Sequence, residues 1–136
     1  MTSTSAAQKF KMPMTEADIR VFALLETAFG DTLWDVLRNY RASGERHMDD
    51  LQNAVSCAHW QEAVRQAITI ANLAADLEFR GVVQAAQALS GTVYQGHTAH
   101  ARRNAAQLLV LEFERSTLVL ESRYPGLVAS QEASVA

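Results

Sequence analysis

Apolar residues recur every three or four positions along most of the chain, and no stretch alternates with period two. The pattern therefore predicts helices and no strands. Thr15 and Asp18 have capping-box spacing, and Ile19, Phe22, Leu25 and Phe29 then form one stripe that Gly30 stops. Asp31 or Thr32 caps a second, long helix whose inward positions are Leu33, Leu37, Tyr40, His47 or Met48, Leu51 and Val55, running to about Ala58, with Gly44 weakening its middle. A third helix is expected from His59 to Glu78 on Val64, Ala67, Ala71, Ala74 and Leu77. The fourth spans Gly81 to Gln95 on Val82, Ala85, Ala86, Leu89 and Val93, and ends at Gly96. The last runs from about Thr98 to Arg123 on Ala106, Val110, Phe113, Thr117, Leu120 and Tyr124, until Pro125-Gly126 terminates it. Short connections between long helices predict an all-α fold, an antiparallel four-helix bundle with an additional short N-terminal helix as a lid. The alanine-rich stripes of the third and fourth helices favour close axes over a cofactor-sized cavity, so no cofactor is expected.

Composition changes this picture little. At 136 residues, with 49% hydrophobic and 20% charged residues, the chain suits one packed domain. Its expected organisation is a flexible N-terminal arm over 1–14, a bundle over 15–124 and a flexible C-terminal tail over 125–136. A formal charge of -3 with scattered basic residues gives no footprint for nucleic acid. Cys57, the single cysteine, lies in an apolar helical pattern and is expected to be a buried thiol. No signal-like or membrane-length apolar run occurs, so the expected location is the cytoplasm, away from the membrane.

One segment has a more specific order. Gly30-Asp31 opens the long helix, Leu51 to Ala54 leads into a turn, and Trp60 then precedes Ala67-Ile68-Thr69-Ile70-Ala71-Asn72. From about Thr15 to Tyr124 this arrangement resembles the histidine-containing phosphotransfer (HPt) domain of bacterial phosphorelays, in which a Trp precedes an Ala-His-x-Leu-Lys-Gly segment. The resemblance places Ile68 on the phosphoacceptor histidine, Ala71 on the lysine that helps bind phosphate, and Asn72 on the glycine that lets a partner approach. Isoleucine has no lone pair to attack a phosphoryl group, and alanine supplies no cation to hold one. The resemblance thus implies a pseudo-phosphotransferase, not an enzyme, that binds a response-regulator receiver domain or a histidine kinase without carrying phosphate. With Ala67, Ala71 and Ala74 inward, Ile68 shares a strip with Gln61, Asn72, Ala75 and Phe79. Exposed Ile68 and Phe79, ringed by Gln61, Arg65, Asn72 and Asp76, would form an apolar patch with a polar rim. Alternatively, Ile68 and Phe79 simply widen the core stripe.

Other constellations predict less. His47 reads as a packed or partly buried imidazole and His59 as a turn or cap group. His97 and His100 are three apart, but no Cys, Asp or Glu nearby completes a site, so no metal is expected. Arg102-Arg103 beside His100 reads as a solvated basic spot. Ser90 and Thr69 lack a recognisable base, and no glycine-rich phosphate loop occurs. The alternative to a phosphorelay-derived binder is a structural or oligomerising adaptor, a possible homodimer. It would pair through Leu108, Leu111, Leu118 and Val119, which are surplus to the last helix's main stripe.

Overall fold

The computed structural model describes residues 15–127. The chain is all-α: α1 is Glu16–Phe29, a 3-10 turn covers Gly30–Thr32, α2 is Leu33–Ser56, α3 is Trp60–Asp76, α4 is Arg80–Tyr94 and α5 is Ala99–Arg123. Helices α2 to α5 pack side by side as a bundle, and the described residues contain no strand. The arm 1–14 and residues 128–136 lie outside the described residues.

The helix starts and stops have local causes. Thr15 Oγ1 accepts from the Asp18 N–H at 3.1 Å, and Asp18 Oδ2 accepts from the Thr15 N–H at 3.1 Å, which completes the expected capping box. Helices α2, α3 and α4 all end in the same reversal. His59 N–H donates to Ala54 O at 2.8 Å, Phe79 N–H to Ala74 O at 3.0 Å and His97 N–H to Thr92 O at 2.9 Å. These are the six-to-one bonds of Schellman motifs, and each needs one left-handed residue just before the donor. Ala58 (φ 56°), Glu78 (φ 61°) and Gly96 (φ 67°) fill that role. Only Gly96 announces itself in the sequence. Ala58 and Glu78 carry a Cβ that disfavours left-handed backbone by about 1 kcal/mol, which is why α2 and α3 were expected to run through them. Three identical reversals over short turns make consecutive bundle helices antiparallel.

The core follows the predicted stripes with particular exceptions. Leu37, Leu51, Leu77, Leu89 and Leu120 are fully buried as expected; Ile70 and Leu109, which the stripes left out, are fully buried too, whereas Val55, Ala71, Val93, Thr117 and Tyr124 are only half-buried. Tyr40 is buried as well, and its hydroxyl meets Ser116 Oγ at 2.7 Å, so the aromatic ring enters the core with its polar end satisfied. Burial holds the Tyr40 hydroxyl protonated well above its ordinary range, in spite of that bond. Gly44 is a point of close approach rather than a weakness: a Cβ there would lie 2.5 Å from Phe113 Cε1. Cys57 is exposed, not buried, because α2 stops at Ser56 and the inward register stops with it. Ile19 is 49% exposed, so α1 attaches mainly through buried Phe22 and Leu25, with Val21 and Phe29 packed at the core edge. Leu127 is buried, so the chain just past Pro125 still belongs to the packed body.

A small polar and aromatic clasp holds α1 against the end of α5. Tyr124 Oη donates to Glu26 Oε2 at 2.6 Å, Arg123 Nη2 donates to the same oxygen at 3.2 Å, and the Phe22 and Tyr124 rings meet edge to face at 5.6 Å. The hydrogen bond from Tyr124, then that from Arg123, keep the Glu26 carboxyl below its ordinary pKa of 4.5. A lowered folded-state pKa contributes stability above the ordinary value, and that contribution disappears as the pH falls through the lowered one. Hydrogen-exchange protection of α1 is accordingly expected to drop below pH 4.5 more steeply than that of α3, and Glu26→Gln should remove the difference. Parallel loss in both helices would show that the clasp does not hold α1.

Candidate functional site

Helix α3 contains two isoleucines that point in opposite directions. Ile70 is fully buried, whereas Ile68, two residues and about 200° earlier on the helix, is 48% exposed. Gln61, Arg65, Asn72 and Ala75 are exposed along the same strip, and Ala71 is half-buried against the core. Arg65 pairs with Glu62 at 3.3 Å, which ties its charge to the edge of the strip. Five of the six expected contact residues therefore share one surface: Gln61, Arg65, Ile68, Asn72 and Ala75. Phe79 leaves it. Its ring is half-buried and lies 5.3 Å from the Tyr40 ring, so it belongs to the core edge. The physical cause is the chain reversal at Glu78, which turns Phe79 inward where a continued helix would have kept it outside.

The strip is rigidly backed. On one side of α3, His47 Nδ1 donates to Gln66 Oε1 at 2.7 Å and Gln66 Nε2 donates to Glu62 Oε2 at 2.7 Å, a chain that links α2 to α3 and selects the Nδ1–H form of the imidazole. At the start of α3, the Arg102 guanidinium lies 5.4 Å over the Trp60 ring and donates to Val93 O at 3.4 Å. Arg102 is thus a clasp joining α3, α4 and α5, not part of a solvated basic spot. His100 lies 3.2 Å from Asn104 on the exposed face of α5. Among the described residues, no three His, Cys, Asp or Glu side chains gather in a metal-holding group, and no helix is long and apolar enough to cross a membrane.

Two features went unforeseen. Tyr94, at the end of α4, is 76% exposed, an outward aromatic that lies off the inward stripe. An open groove of about 780 Å³ also runs between α1, the α3–α4 turn and α5, with Leu24, Leu25, Phe79, Val82 and Val119 in its walls and Asp18, Arg80, Glu112 and Arg115 around them. It exists because α1 is attached through few residues and leaves a gap on its other flank. On α5, Leu108 and Leu111 are exposed at 47% and 52%, Leu118 is half-buried, and Val119 is buried at 6%. The expected surplus face therefore reduces to two leucines, because Val119 belongs to the buried core cluster.

No family model matches this chain, and neither the search of curated proteins nor that of solved structures found a match.

Proposed function

We propose that this chain is a non-catalytic, HPt-like signalling protein. It binds a response-regulator receiver domain or the catalytic region of a histidine kinase, in the cytoplasm, and modulates a phosphorelay without itself carrying phosphate. The observation that supports this reading most directly is the exposure of Ile68. Half of a large aliphatic side chain faces water midway along a helix whose core is already filled by Ile70 and Ala74, so Ile68 contributes little to packing. The register from Trp60 to Asn72 puts this residue where the HPt family has its phosphoacceptor. Ile68 offers no nucleophile and Ala71 no cation, so docking would proceed without transfer. Gln61, Arg65, Asn72 and Ala75 supply a polar and small-residue rim around one apolar anchor. A partner bound there would be kept from a competent phosphotransfer protein.

Titration of the isotope-labelled chain with receiver domains and kinase catalytic regions should move amide signals around Ile68 and Asn72. Ile68→Asp should weaken binding at least tenfold, because the complex would bury an unpaired carboxylate. Unchanged affinity of that variant would remove α3 as the binding face. The adaptor reading draws its support from exposed Leu108 and Leu111, a smaller patch than the sequence suggested.

A further inference from the structure

The bundle has a face almost without charge. No Asp, Glu, Lys, Arg or His occurs from Gln66 to Ala75 or from Gly81 to Gly96, in a chain with 20% charged residues. These two stretches form most of α3 and α4, which pack against each other.

Their exposed residues meet on a single side. Gln66 marks the flank of α3 that faces α2, through its bond to His47. Ile68 lies roughly 160° round the helix from Gln66 and so turns to the α4 side. Gly81, which abuts the Glu112 side chain, marks the flank of α4 that faces α5. Tyr94 and Gln87 lie roughly 140° and 120° from Gly81 and turn to the α3 side. The clasp of Arg102 on Trp60 and Val93 brings the start of α3 beside the end of α4, so Tyr94 sits at the Gln61 end of the strip that carries Ile68. The result is one surface with a single charged side chain: Gln61, Arg65, Ile68, Asn72 and Ala75 from α3, where Arg65 is paired with Glu62 at 3.3 Å, and Gln87, Gly91 and Tyr94 from α4.

We propose that this surface is a self-association face and that its occupant is a second copy of the chain. Two copies with a formal charge of -3 repel each other wherever acidic groups meet. Glu45, Asp49 and Glu114 line one hollow between α2 and α5, whereas the groove under α1 mixes Asp18, Asp76, Glu78 and Glu112 with Arg20, Arg80 and Arg115. The α3–α4 surface meets its own image with Arg65 as its one charge, neutralised by Glu62 at the edge of the strip, and amides and small side chains lose less on desolvation than ions do. Charge depletion with exposed Tyr and aliphatic anchors is the compositional mark of an interface centre. Helices about 25 Å long and about 9 Å apart present roughly 500 Å² per copy. The total of about 1,000 Å² is the size of a weak, reversible interface. Self-association would cover Ile68, so, resting on the partner reading, dimer and partner complex exclude each other.

Sedimentation velocity of the full chain from low micromolar to near-millimolar concentration tests this. The wild type should shift from monomer to dimer with concentration. Tyr94→Glu and Ile68→Glu should each weaken the dimer at least tenfold, while Leu111→Glu on α5 should behave as wild type; both exposed sites are expected to leave the thermal unfolding curve unchanged. A monomer at every concentration overturns the inference, as does a dimer that survives both charges on α3 and α4. Receiver or kinase titrations, run where the chain is monomeric, report on the partner reading separately: a dimer with these sensitivities and no partner binding leaves this inference standing and removes that reading.

Discussion

Ile70→Ala is expected to destabilise the protein by about 3 kcal/mol, while Ile68→Ala changes stability by less than about 0.5 kcal/mol. Ile70 is fully buried among Ala67, Ala74 and Leu77, so its truncation leaves a cavity in the bundle core that rigid helices close only in part. Ile68 is 48% exposed and gives up mainly solvated surface. Urea unfolding followed by circular dichroism would separate the two. Equal losses would mean that Ile68 has a structural duty and that α3 is not a docking face. The contrast also supplies the control that binding experiments need, because a folded Ile68 variant that no longer binds reports on the surface and not on the fold.

Gly44→Ala should also destabilise, by about 2 kcal/mol, although alanine in place of glycine within a helix ordinarily gains about 1 kcal/mol. The added Cβ would stand 2.5 Å and 2.6 Å from Phe113 Cε1 and Cζ. That ring has little room to yield: it is 4% exposed and lies 5.4 Å from the Tyr40 ring, whose hydroxyl is held in turn by Ser116. Helices α2 and α5 would have to separate or the aromatic cluster repack. Combining Gly44→Ala with Phe113→Leu should cost less than the sum of the two single changes, because the smaller side chain removes the clash. A Gly44→Ala variant more stable than the wild type would show that the α2–α5 spacing adjusts freely.

The fold was legible where local physics decides it. Spacings of three and four between apolar residues placed every helix, and the Thr15–Asp18 capping box and Gly96 marked their ends because capping and left-handed backbone have residue signatures. Ala58 and Glu78 take the same left-handed conformation without the signature, so two helix ends were read two residues long. That slip carried Phe79 onto the candidate surface and Cys57 into the core, and the structure reverses both. Helical spacing placed Ile68 beside the inward stripe but left Ile70, which fills the core, unassigned. What it left open was whether a neighbour covers Ile68, since an outward angle on one helix says nothing of the helix beside it.

The sequence by itself determined an all-helical chain, most of the inward positions of each helix, and the absence of a nucleophile and a cation at positions 68 and 71. Those properties belong to single residues or to one helical repeat. The tertiary structure decided the rest: the exposure of Ile68, the tight approach at Gly44, the burial of Val119 in the core, and the gathering of uncharged stretches from α3 and α4 on one side. Each of these depends on how far two helices lie apart and how they are rotated against each other. Those quantities are set by side chains distant in sequence, and no local pattern encodes them.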